Sequence, residues 1–278
     1  MPHYLRILII TSLIATLSLP INPEAAAQSV TGLVAQALDN PDFDWNSIRC
    51  DKVILYYQAG TFAGRHRQAL LRSAELAISE VLVFMNESEY NRILHVFYVG
   101  SREEMNTLVG RTYTGLATWT ASGVFLVSNP EWRSFDKHEI THVLTMGMWG
   151  APDSTSRWMV EGVAIYNDGW CREYSVDEIA AELLSQNKLP PLERLFANFR
   201  ELGEINAGIY AASFIGFIRE TYGADKVYDL WKNGTADIER ILDSSTDQLA
   251  KSWKSYLLNE VGDDFDVDLE AINDKGCG

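Results

Sequence analysis

The stretch Lys137–Gly150 reads KHEITHVLTMGMWG and holds His-Glu-x-x-His inside an apolar run with helical spacing. On an α-helix, residues four apart differ by about 40° around the axis and about 6 Å along it, so His138 and His142 can reach one cation. Glu139 stands at the edge of the same face. Such a turn lets two imidazoles ligate a metal while the neighbouring carboxylate works on a water at the ion without ligating it. A buried helix can also hold these residues by coincidence, so the pattern gains meaning only from the rest of the chain.

Beyond Pro130 the pattern stays helical almost to the end, with helices expected over Phe135–Met148, Arg157–Asn167, Val176–Gln186, Ala207–Tyr222, Ala224–Lys232 and Thr246–Asn259. Pro190 and Pro191 mark a loop or hinge between parts of that half. Upstream, Asp51–Gln58 and the run RILHVFYVG have the β-branched and aromatic makeup of strands, and RHRQALLRSAELAISEVLVFMN between them has helical spacing. TGLATWTASG and GVFLVSNP read as two more strands meeting near Gly123, closed by Pro130. The expected fold class is therefore α+β. A small mixed α/β lobe over residues 28–132 is followed by a mainly helical lobe over 133–278 that carries the histidine pair.

A tetrahedral catalytic metal site needs a third protein ligand and an open position. RWMVEGVAIYND places Glu161 in an apolar helix, eighteen residues intervening after His142. An ionised carboxylate in apolar surroundings must be paired, hydrogen-bonded or bound to a cation. An exposed acid favoured by the positive helix N-terminus is the alternative.

HEITH and WMVEGVAIY, at that interval, resemble the gluzincin zinc metallopeptidases, in particular the aminopeptidase-like branch and the secreted peptidase MA-like domains. The resemblance covers about thirty residues closely and implies a zincin-like fold. It also implies Zn2+ held by His138, His142 and Glu161, with Glu139 as general base. It further implies that Asp168, seven residues after Glu161, orients a ligating histidine, as a Glu does in that branch; outer carboxylates of this kind fix the imidazole tautomer. Tyr210, in GIYAASFIGFIRETYG, resembles the Tyr-x-x-Ser-Phe helix of peptidase MA-like proteins, whose phenol is placed to donate to a developing oxyanion. An apolar stripe with Phe214 and Phe217 accounts for Tyr210 as well. Aminopeptidases of the branch carry a Gly-x-Met-x-Asn segment that reads a free α-amine. The comparable strand here, GVFLVSN from Gly123, has neither Met nor acid. Endopeptidase binding, with the peptide laid along that strand, is the expectation.

The N-terminus has Arg6, then an apolar segment Ile7–Leu19, then Ala25 and Ala27 in a small-x-small pattern. That is the signature of a signal peptide over residues 1–27, so a secreted or periplasmic protein without stable membrane insertion is expected. The net charge of -15 repels phosphate backbones and argues against nucleic acid as a partner. The partner expected is a peptide or protein substrate. Asp263, Asp264, Asp266, Asp268 and Glu270 read as a solvated acidic end; an EF-hand fails because Leu269 stands where the turn glycine belongs. Cys50, Cys171 and Cys277 allow one internal disulfide, with all three pairings open. The function expected is thus an exported zinc peptidase; a zinc-stabilised binding domain without catalysis is the alternative.

Overall fold

In a computed structural model the chain is described over residues 32–131, 134–262 and 266–277. The expected signal segment lies outside these residues. The elements run α1 (Gly32–Leu38), β1 (Trp45–Arg49), β2 (Val53–Gln58), α2 (Phe62–Met85), β3 (Leu94–Val99), α3 (Arg102–Val109), β4 (Gly115–Thr118) and β5 (Gly123–Val127). The second half follows with α4 (Asp136–Leu144), α5 (Trp158–Asp168), β6 (Trp170–Cys171), β7 (Tyr174–Ser175), α6 (Val176–Ser185), α7 (Leu192–Asn198), α8 (Glu204–Tyr222), α9 (Ala224–Asn233), α10 (Ile238–Leu242), α11 (Thr246–Val261) and α12 (Leu269–Lys275). The fold is α+β, with a small mixed sheet in the first half and helices in the second.

The sheet has the order β1-β2-β3-β5-β4, with β2, β3 and β5 parallel and both outer strands antiparallel. Its residues alternate between two cores with the period of two that a pleated strand imposes. Leu94, Val96 and Tyr98 of β3 face the larger core, together with Val53 and Leu55 of β2 and Val124 and Leu126 of β5. Phe97 and Val99 face a smaller aromatic core under α1 and α3, beside Tyr56 and Phe125. The larger core is shared, because Phe214, Trp231 and Trp253 of the helical half belong to the same buried cluster.

β5, the strand on which the sequence placed a bound peptide, lies inside the sheet, hydrogen-bonded to β3 on one side and β4 on the other. Its backbone is spent on its neighbours. The outer strand next to β5 is β4, so the sheet edge on that side is Gly115–Thr118.

α2 opens on the Thr61 hydroxyl accepting from the Gly64 N–H and closes on Asn86 in the left-handed region, φ 57°. It packs against α4, to which Glu80 is tied by an ion pair with Lys137 at 2.5 Å. α4 passes without a break into a π-helical turn, Thr145–Trp149. In the tail Asp266, Asp268 and Glu270 are exposed, whereas Val267, Leu269 and Ile272 are buried, and the Asp268 side chain accepts from the Ala271 N–H to start α12; Asp263 and Asp264 lie outside the described residues. Cys277 then pairs with Cys171, and Cys50 is the free cysteine. Among the described residues no helix is long and apolar enough to cross a membrane.

Candidate metal centre

α4 presents its two histidines toward the first turn of α5. His138 Nε2 and His142 Nε2 lie 3.1 Å apart, and Glu161 Oε2 lies 3.6 Å from the first and 3.7 Å from the second. These three atoms form a nearly equilateral triangle. The point equidistant from them in their plane lies about 2.0 Å from each, the length of a bond from imidazole nitrogen or carboxylate oxygen to a small divalent transition ion. The donor set fits such an ion, and these three residues form a group able to hold one. The Glu161 side chain is 45% exposed because it faces an open cavity, whereas His138 and His142 are 17% and 13% exposed.

The approach of α5 to α4 depends on the helix behind it. Gly162 sits against α8 so closely that a Cβ there would lie 2.9 Å from the Ala211 Cβ and 3.1 Å from the Ala211 carbonyl carbon. Trp158 pins the start of α5 by donating from Nε1 to the Thr235 hydroxyl at 2.9 Å. Glu161 is therefore set by packing rather than by its own flexibility.

Glu139 is buried, 8% exposed, at the wall of the same cavity. Burial pushes its carboxyl up to about 7, with the Glu161 charge adding to the rise and His142 opposing it. Burial works against a charged His142 too, but the hydrogen bond and charge of Glu161, joined by Glu139, carry its pKa above the ordinary value. Glu161 is held below the usual carboxylate range; burial opposes this, and the hydrogen bond and charge of His142, with His138, prevail. Gly115 of β4 abuts the Glu139 carboxyl group, and a Cβ there would lie 2.9 Å from its Cδ. The end strand thus runs directly beside the buried acid. No local sequence signal marks that glycine; only the non-local pairing of β4 reveals its place.

The cavity measures about 650 Å3, within the range of small-molecule and peptide-side-chain sites. Thr112, Tyr113, Thr114 and Gly115 form one wall; Ile165, Trp170, Phe199, Ile205 and Ile209 form another. Asp168, the last residue of α5, lines it as well, ahead of Gly169 at φ 84°. Tyr210 does not. Its ring packs at a tilt against Trp253 with centroids 5.0 Å apart, it is 2% exposed, and its hydroxyl donates to the Pro190 carbonyl. The positions of α8 that line the cavity are Ile205, Ala207, Gly208 and Ile209. The structure therefore brings His138, Glu139, His142 and Glu161 together, puts Asp168 on the wall of the same cavity, and leaves Tyr210 in the core, where its hydroxyl already has an acceptor.

No protein-family profile matches the chain, and no curated protein matches it significantly.

Proposed function

We propose that the chain is an exported zinc-dependent peptidase of gluzincin type, hydrolysing internal peptide bonds. The observation that carries this reading is the triangle of His138 Nε2, His142 Nε2 and Glu161 Oε2, with edges of 3.1, 3.6 and 3.7 Å, at a cavity that also holds a buried carboxyl. Two nitrogens and one oxygen suit Zn2+ in the catalytic arrangement of three protein ligands and an open position. When bound, zinc polarises a carbonyl and lowers the pKa of a water to about 7.

The chain's own residues supply the rest. The Glu139 carboxylate takes a proton from the attacking water and delivers it to the leaving amine, a role that its position at the wall of the cavity beside the triad supports. A substrate adding to the outer edge of β4 by main-chain hydrogen bonds would run along the strand whose Gly115 abuts the Glu139 carboxyl group. Asp168 lines the same cavity, and in this reading its carboxylate orients a ligating histidine. Thr112–Gly115, lining the cavity, carries no carboxylate to hold a free α-amine, which favours endopeptidase action over N-terminal trimming. The Cys171–Cys277 disulfide suits an oxidising compartment outside the cytosol.

The test is zinc quantification on the purified protein beside casein cleavage. Glu139→Gln should keep stoichiometric zinc and lose activity by about 10²–10⁴-fold. Cleavage that survives this change removes the assignment. Stoichiometric zinc with no cleavage by the unaltered protein would make the chain a binding domain instead.

A further inference from the structure

Among the described tryptophans Trp170 is the most exposed, at 53%, and it lines the metal cavity. Trp149, Trp158, Trp231 and Trp253 are all buried. A large indole left half in water at the wall of a cleft is poised to be covered when something enters. The apolar part of the cavity lining includes Ile165 from the helix preceding Trp170, Phe199, and Ile205 and Ile209 of α8.

Trp170 belongs to a hairpin with two residues in each strand, paired Trp170 to Ser175 and Cys171 to Tyr174. A ribbon this short does not hold itself in water. Its turn carries Arg172 at φ 58°, a left-handed conformation that a side chain adopts at a cost. What holds it is the C-terminal tail. Cys171 is bonded to Cys277 across 106 positions, Arg172 Nε donates to the Gly276 carbonyl at 2.9 Å, and the Asp268 N–H donates to the Tyr174 hydroxyl at 3.3 Å. Val267, Leu269 and Ile272 seat the tail in the core. Both cysteines themselves line the cavity. A covalent latch from the far end of the chain is thus applied to a few residues whose exposed member faces the site.

We propose that Trp170 is the specificity-determining residue of this cleft, receiving a large apolar side chain of the bound peptide, and that the tail latched through Cys277 is the positioning element that holds it there. The inference rests on reading the cavity as a peptide site, and its test is separable from the metal chemistry. Zinc-treated Glu139→Gln protein labelled with 5-fluorotryptophan gives a fluorine signal for Trp170, assigned by its absence in Trp170→Phe. It is titrated with a blocked hexapeptide containing phenylalanine and, separately, with its alanine counterpart. The Trp170 signal should move saturably with the first, with roughly tenfold or greater preference over the second. Trp170→Ala should abolish that preference without lowering zinc content. Cys277→Ser, or dithiothreitol, which reduces the Sγ–Sγ bond to two thiols as it closes into its own disulfide, should do the same. The signals of the buried tryptophans report that each variant is folded, and Cys171→Ser offers a second way to open the latch.

A Trp170 signal that stays still while the peptide moves others overturns the proposal, as does the absence of any response or equal binding of the two peptides. A preference that survives opening of the latch in a folded protein overturns the positioning role. Zinc absent with the Trp170 response intact would remove the metallopeptidase reading and leave this one standing.

Discussion

His95 and His142 are both largely buried, yet their surroundings drive their imidazoles in opposite directions. His95, on β3, faces the smaller core, where Nδ1 meets the Tyr56 hydroxyl at 3.0 Å and burial, helped by Arg92, lowers its pKa. His142, on α4, has a second imidazole and the Glu161 carboxylate within 3.7 Å of Nε2, with Glu139 close by, and these acids raise its pKa in spite of burial. One histidine is neutralised by its setting; the other is surrounded by groups that favour positive charge. Burial of a polar side chain does not mark a site; convergence of donors that satisfy a cation does. The two faces of one sheet separate these cases, since only the larger core receives helices from the second half of the chain.

The comparison breaks most sharply on metal content. His142→Ala should lower zinc affinity by more than about 100-fold, beyond the loss typical of removing an outer partner, while His95→Gln should leave it unchanged. Mass spectrometry of the dialysed proteins measures both, and loss of zinc in the His95 variant would undo the contrast. Next in size is Gly162→Ala, whose methyl meets Ala211 side chain and backbone. It should cost about 1–3 kcal/mol in urea unfolding and weaken zinc binding through its neighbour Glu161. Unaltered stability would show that α5 can retreat without consequence.

Tyr210→Phe should cost about 1 kcal/mol through the lost hydrogen bond to Pro190 and leave casein turnover unaltered. A large fall in turnover at constant stability would return Tyr210 to the chemistry. The smallest effect concerns His95. Its folded pKa lies below the unfolded value of about 6.5, so the unfolded chain binds more protons as pH falls. Its contribution is therefore present above about pH 6.5 and is lost as pH drops toward and through the folded value. His95→Gln should flatten that part of the stability profile, read as the urea midpoint against pH.

The candidate metal triad was legible because helical spacing is local: two imidazoles four positions apart and a second apolar helix with one acid suffice to propose it. The major helices were legible for the same reason, and α5 spans Trp158–Asp168 against an expected Arg157–Asn167. The place of β4 at the sheet's end was not, because strand order depends on pairing between distant segments. The short elements α1, β1 and α3 also escaped, although Ser101 with Glu104 three residues later is a helix-start signal that could have revealed α3. The cysteine pairing stayed open because three thiols carry no geometry in a sequence. Tyr210 had two readings that only the position of its hydroxyl separates.

The buried cluster that runs unbroken from β2 and β3 into α8, α9 and α11 has a consequence for how the protein can be divided. Every atom of the triad comes from the later half of the gene product, but the floor beneath those helices is laid by the earlier half. Severed near Pro130, each fragment would show water an oily face it was built to conceal. The candidate ion-binding cradle is thus a property of the undivided polypeptide, and melting of either portion should carry the other with it.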